Sequence, residues 1–254
     1  MLLALTRDVS ARLGECELTH LARVPIDVER ARAQHDAYEA LLGRLGCRVE
    51  RLAAGPDMPD SVFIEDIAIV FDELAIVTRP GAESRRVETA AVADALRRFR
   101  TLRFIEAPGT VDGGDVLVAG RRVFVGRSSR TNAAAVAQMR AILAPHGYSV
   151  CEVAVEGCLH LKSAVTAIGD DVLLANRAWI DPRAFADCEI VDVDRDEPSA
   201  ANAVRVGGAL VFPSAFPKTA SRLAARGFTV HTVDASELAK AEGAVTCCSL
   251  IVDL

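Results

Sequence analysis

Three things are scarce in this 254-residue chain: surplus basic charge, long apolar runs and paired cysteine spacings. The formal net charge is −6. A phosphate-binding surface needs a basic face, so this balance argues against a nucleic-acid partner. No stretch approaches the apolar length of a membrane-crossing helix. The start, "MLLALTRDVS", has too short an apolar run and no basic leader for a signal peptide. The seven cysteines (16, 47, 151, 158, 188, 247, 248) are odd in number. None falls in CxxC or Cys/His zinc spacing. Free thiols in a reducing cytoplasm are the expectation.

What is present is ordinary for a globular protein: 51% hydrophobic and 25% charged residues, enough chain for a sizeable core. The pattern is repetitive. Four segments share a short apolar strand, a tight turn, a second apolar strand and then a helix start. They are 65–84, 114–132, 161–181 and 200–219. Their turns, "FDEL", "AGRR", "IGDD" and "VGGA", fall at matching places and carry the Gly and Asp of tight hairpins. Helical patterns follow in "ESRRVETAAVADALRRF", in "RTNAAAVAQMRAILAPHG", with Gly147 as C-cap, and in "PKTASRLAARG", ended by Gly227. The stretch "IDVERARAQHDAYEALLGRLG" predicts a longer helix, with Ile26, Val28, Tyr38, Leu41, Leu42 and Leu45 facing a core. A strand, "CRVERLA", comes after it.

Four copies at roughly fifty-residue spacing leave space for about one more. "VTCCSLIVDL" and "MLLALTRDV" supply its two strands from opposite ends of the chain. Pairing them closes a ring without an open seam. The predicted fold is α/β: one domain, residues 1–254, built as a five-unit pseudo-symmetric propeller closed by its terminal strands. The alternative is a doubly wound α/β sheet. The ring is preferred because hairpins connect the strands within each unit.

Unusual polar residues gather just before or at the first strand of each hairpin. They are Asp60, Glu65 and Asp66 in the first unit, Asp112 in the second, His160 in the third and Cys247 in the split unit. If the units surround an axis, these positions converge on one pocket. Each residue also has a plain structural reading: a core histidine, a turn aspartate, a small buried cysteine. The shared register raises them above that. In "AVTCCSLIVDL" the two cysteines are read as strand neighbours facing opposite sides, so one faces the pocket and the other packs. A strained vicinal disulfide is the less favoured alternative.

At these residues the sequence resembles the dimethylarginine dimethylaminohydrolases. "DSVFIED", "RPGAESRR", "APGTVDGGDVL", "FVGRSSRTN", "LHLKS", "AANAV" and "GAVTCCSL" match that family's motifs in order, from about Leu18 to the end. The resemblance implies the five-bladed α/β propeller, or pentein, of guanidine-modifying enzymes. It selects Cys247 as nucleophile, His160 as general acid and base, and Asp112 as the carboxylate that orients the imidazole. The implied activity is hydrolysis of Nω-methylated arginines to citrulline and dimethylamine or methylamine, through a covalent thiouronium. A guanidinium carbon is a poor electrophile, and a thiolate is intrinsically nucleophilic. No metal or organic cofactor is implied.

The resemblance also implies substrate contacts. Asp66 and Glu65 would hold the guanidinium and Phe63 would line the pocket. Arg85 and Arg130 would clamp the α-carboxylate, which suits forked donors. Asp60 and the backbone of Leu18 would take the α-amine, and Ala241 would touch the substrate. "ECELTHLA" would supply a lid. The chain departs from the family at Ala241-Glu242-Gly243, where [VI]-D-G is usual. The expected partner is a small methylated arginine, with no nucleic acid and no membrane, on a monomer or homodimer. An arginine-deiminase-like or other guanidino hydrolase is the alternative function. A non-catalytic binding protein is a third, because the fold alone decides nothing.

Overall fold

The four hairpins form. Ala68–Val70 pairs antiparallel with Leu74–Val77, and Val116–Ala119 with Arg122–Arg127. Val165–Ala167 pairs with Val172–Ala175, and Val204–Val206 with Ala209–Pro213. Gly120 and Gly207 turn two of them at φ 58° and 57°, where a Cβ is disfavoured. The computed structural model describes residues 1–254. Its fifth hairpin joins the two ends of the chain. Leu2–Arg7 pairs antiparallel with Leu250–Asp253, with Leu3 opposite Val252 and Leu5 opposite Leu250.

A third strand completes each unit, lying parallel to the second. These strands are Arg48–Leu52, Thr101–Phe104, Ser149–Ala154, Glu189–Asp192 and Thr229–Val233. The result is five separate three-stranded sheets. Parallel pairing needs a crossover, and helices supply it in four units: Val28–Arg44, Thr89–Leu96, Ala133–Leu143 and Pro217–Ala225. Asp27 and Asn132 cap two of them, each accepting from a backbone N–H at 3.0 Å. Gly147 and Gly227 adopt left-handed φ of 76° and 89° just beyond helical segments.

The helical pattern at 83–99 is realised in two parts. Glu83–Glu88 is 3-10, and the α-helix begins at Thr89. Three residues per turn bring Arg85 and Glu88 to one side, where both are buried and paired. The third unit has no α-helix in its crossover, only the short turn Pro182–Phe185.

The first strands of all five units line a central cavity of about 220 Å³, through Ile69, Leu117, Thr166, Val204 and Ile251 among others. Apolar clusters fill the spaces around this ring. One joins Leu3, Leu5 and Val252 of the closing sheet to Ile64, Ile67, Val92 and Leu96 of the next unit. Tyr38, Leu41 and Leu42 of the long helix are buried as expected, while Ile26, Val28 and Leu45 are half-buried against the same core. No helix is long and apolar enough to cross a membrane.

Candidate active site

A single helical turn stands directly before the inner strand in four units: Ile64–Ile67, Gly113–Asp115, Leu161–Ala164 and Thr246–Cys248. This device aims polar side chains at the mouth of the ring. Glu65 and Asp66 lie in the first turn, Asp112 and His160 immediately precede the second and third, and Cys247 lies within the fourth. The cysteine pair is therefore on a turn rather than a strand. At about three residues per turn neighbours still point apart. Cys248 is 1% exposed inside an apolar cluster, and its thiol points to the Ala244 carbonyl at 3.4 Å. Cys247 lines a narrow cavity of about 20 Å³, room for roughly one water.

Phe63, Asp60, Asp66, Arg85, Asp112, Arg130, His160 and Ala241 line the same cavity. Leu18 and Glu65 do not reach its wall. Leu18 is half-buried against the core, and its neighbour Glu17 lines the cavity instead. Glu65 accepts from Lys162 Nζ at 2.6 Å and from Thr246 Oγ1 at 2.8 Å, behind the nucleophile turn.

His160 sits between two carboxylates. Its Nε2 is 3.2 Å from Asp112 Oδ2, and its Nδ1 is 3.8 Å from Asp66 Oδ1. Asp112 is fixed in turn by the Gly81 N–H at 2.8 Å. Burial alone would lower the His160 pKa. The Asp66 charge, the Asp112 bond and nearby Asp115 outweigh it and raise the value to about 9. Burial pushes the Cys247 thiol up to about 12, with Glu65 and Asp66 adding to the effect. The resting pair is therefore a neutral thiol and an imidazolium. Burial also raises Asp60, to about 6.

The two arginines differ. Arg85 is committed to the fold: its guanidinium donates to Asp66 at 2.6 Å, to both oxygens of Glu88, and to the Phe63 carbonyl at 2.9 Å. Arg130 forms no ion pair. Its one side-chain bond goes to Thr19 Oγ1 at 3.2 Å, and it is only 9% exposed. A buried cation without a counter-charge is costly, so this position suits an anionic ligand. The donor atoms of Asp66, Asp112 and His160 lie within 4.8 Å of one another, close enough to share a divalent cation.

Several supporting residues sit inside the quoted motifs but carry no local signal of their role. Asn202 donates to Thr246 Oγ1 at 2.9 Å and accepts from the Thr246 N–H at 3.0 Å, which holds the cysteine turn. Asp115 accepts from Ser128, Thr131 and the Leu161 N–H, which sets the turn after His160. Glycine at 114 is required by contact. A Cβ there would meet His160 Nδ1 at 2.5 Å and Asp66 Oδ1 at 2.8 Å. We expect Gly114→Ala to lower kcat/KM by about 100-fold or more through displacement of the imidazole. Wild-type rates in that variant would show that the ring does not need this place.

A family model described as "N,N dimethylarginine dimethylhydrolase, eukaryotic" matches residues 22–197. The dimethylarginine dimethylaminohydrolase of Streptomyces coelicolor is 44% identical, over 97% of this chain and 95% of that protein. Its Pseudomonas aeruginosa counterpart is 38% identical, over 88% and 89% of the two chains. A cysteine-to-serine mutant of the Pseudomonas aeruginosa enzyme, solved with citrulline, superposes with a TM-score of 0.93. The match is 36% identical and covers 98% of each chain. The N-terminal domain of ArgZ, an arginine dihydrolase from cyanobacteria, is only 18% identical and shares the fold, with a TM-score of 0.89 over 99% of this chain and 97% of that one. With the five-bladed ring and the cavity that holds Cys247, these likenesses settle the kinship: the chain belongs to the dimethylarginine dimethylaminohydrolase family.

Proposed function

We propose that this protein hydrolyses Nω-methylated arginines to citrulline and dimethylamine or methylamine, with Cys247 as nucleophile. The observation that carries the reading is one narrow cavity walled by a thiol, an imidazolium between two carboxylates, and an unpaired arginine. The binding of citrulline by the 36% identical Pseudomonas aeruginosa relative supports it.

The α-carboxylate goes to Arg130. Arg85 adds one donor at most, because its other N–H groups are engaged. Asp60 on the cavity wall accepts from the α-ammonium, and the Leu18 carbonyl joins it as the lid re-closes over the ligand. The guanidinium lies against Asp66, with Glu65 beneath Thr246, and Phe63 and Ala241 enclose it. Its positive charge opposes the two effects that hold Cys247 protonated, burial and neighbouring carboxylates, so the thiol releases its proton to solvent and the thiolate forms as substrate binds. The thiolate attacks the guanidinium carbon. The tetrahedral adduct collapses as His160 protonates the departing amine. A thiouronium remains on Cys247. Water gives one proton to His160 and adds to the same carbon; the adduct then expels Cys247, whose sulfur takes the remaining hydroxyl proton, leaving citrulline. Asp112 holds the imidazole throughout.

The reading extends to one catalytic domain over 1–254, acting as monomer or homodimer in the cytoplasm. The support is the pairing of the terminal strands and seven unbridged cysteines. Product analysis tests the activity. Citrulline with dimethylamine from asymmetric dimethylarginine is expected. Citrulline and ammonia from arginine alone would move the protein to the deiminase alternative. A second measurement tests the resting thiol. Alkylation of Cys247 by iodoacetamide in the free protein should rise about tenfold per pH unit from 7 to 10. A plateau below pH 8 would contradict a protonated thiol.

A further inference from the structure

We propose that Glu242 is a positioning residue that latches the lid over the bound substrate. The inference rests on the function proposed above and adds a specificity-controlling group that the motifs do not mark. Glu242 accepts from three consecutive backbone N–H groups of the lid: Thr19 at 3.0 Å, His20 at 2.5 Å and Leu21 at 2.5 Å. Successive amides aimed at one carboxylate form an anion nest. Each bond is charge-assisted. The residue is the one non-glycine at positive φ, 58°. That backbone is disfavoured for a side chain unless its surroundings impose it. Gly243 beside it has no room for a Cβ, which would meet the Phe63 ring at 2.1 Å. The loop is therefore pinned where the Glu242 carboxylate reaches the lid.

The lid has other anchors, and their fates differ. Asp60 accepts from the Glu17 N–H at 3.2 Å, and Arg130 donates to Thr19 Oγ1 at 3.2 Å. Both belong to the groups that receive the substrate's α-ammonium and α-carboxylate, so both trade lid contacts for substrate contacts. Glu242 lies on the cavity wall and takes no such role. With Glu17, whose Oε1 accepts from Ser84 Oγ at 2.6 Å, it is an anchor that survives binding. The cavity holds little more than a water while the lid is down, so an arginine is admitted only when these bonds open. Glu242 also precedes Cys247 by five residues on the same loop, which ties lid closure to the nucleophile. A glutamate where the family usually has aspartate gives the carboxylate one more methylene of reach.

Amide hydrogen exchange on the ligand-free protein, wild type against Glu242→Gln and Glu242→Gly, tests the latch without reference to turnover. Exchange at Thr19, His20 and Leu21 should quicken about tenfold in both variants, the loss of charge-assisted bonds being of that order. The glycine variant relieves the backbone, so a change in both isolates the side chain from strain. Unchanged exchange in both variants overturns the proposal. In kinetics with asymmetric dimethylarginine, KM should rise about tenfold while kcat is not lowered, since product leaves through the same lid. Glu242→Asp should recover part of the loss. A fall in kcat with KM unchanged would mark a structural fault near Cys247 and overturn the latch. If wild type turns over no methylarginine, the function fails and the exchange result still decides the latch.

Discussion

Cys247→Ser is expected to lower turnover of asymmetric dimethylarginine by about 10⁴-fold or more and to leave the melting temperature nearly unchanged. The thiol's nearest polar contact is the Ala244 N–H at 3.4 Å, and a hydroxyl can accept from that group equally well. Cys247 is only half-buried and touches the apolar core from its edge, so the smaller hydroxyl costs little packing. The chemistry does, because serine at neutral pH provides no comparable nucleophile for a resonance-stabilised carbon. Cys248→Ser gives the opposite pattern. Cys248 is 1% exposed among Tyr38, Leu42 and other core residues. A hydroxyl there costs about 1–2 kcal/mol of stability, with turnover largely kept. Parallel steady-state kinetics and thermal unfolding separate the two. If Cys248→Ser is the inactive one, the assignment of the nucleophile is wrong.

Asp66→Asn should affect fold and chemistry together. Asp66 is 3% exposed, accepts from Arg85 at 2.6 Å and from the Gly114 N–H at 2.9 Å, and faces His160. Burial opposes its ionisation, but His160 and Arg85 prevail and hold its carboxyl below the ordinary range. An amide keeps the Gly114 bond and leaves the buried Arg85 with only Glu88 as counter-charge. The expected loss is about 3 kcal/mol, the low end for a broken buried pair, because Glu88 remains. Imidazole titration reports the second effect. Its folded pKa is raised, so His160's stabilising contribution is full below the ordinary value near 6.5 and is lost as pH rises through about 9. In Asp66→Asn that loss moves to lower pH. Urea unfolding at pH 6, 7.5 and 9, with NMR of the His160 ring, measures both. A His160 pKa still near 9 in the variant would show that Asp66 does not hold the proton.

The hairpins were legible because their signals are local: alternating apolar residues around Gly- and Asp-bearing turns. The third strands were not, apart from Arg48–Leu52. Thr101–Phe104 and Ser149–Ala154 lie at sheet edges with most residues exposed or half-exposed, so they carry no apolar pattern. The missing helix of the third unit likewise had no clear mark beyond Pro182.

For the site, the repeat, the closure of the ring and the register that gathers Asp112, His160 and Cys247 could be read from the residues alone. Motif resemblance then chose between two adjacent cysteines. What each charge is bound to emerged with the folded ring. The ring assigned Arg85 to Asp66 and Glu88, Glu65 to Lys162, and Glu242 to lid amides 221 to 223 residues away in the chain. Such pairings depend on which side chains lose water together in the folded ring. Hydrophobic periodicity records which face is buried, and says nothing about which opposite charge waits there.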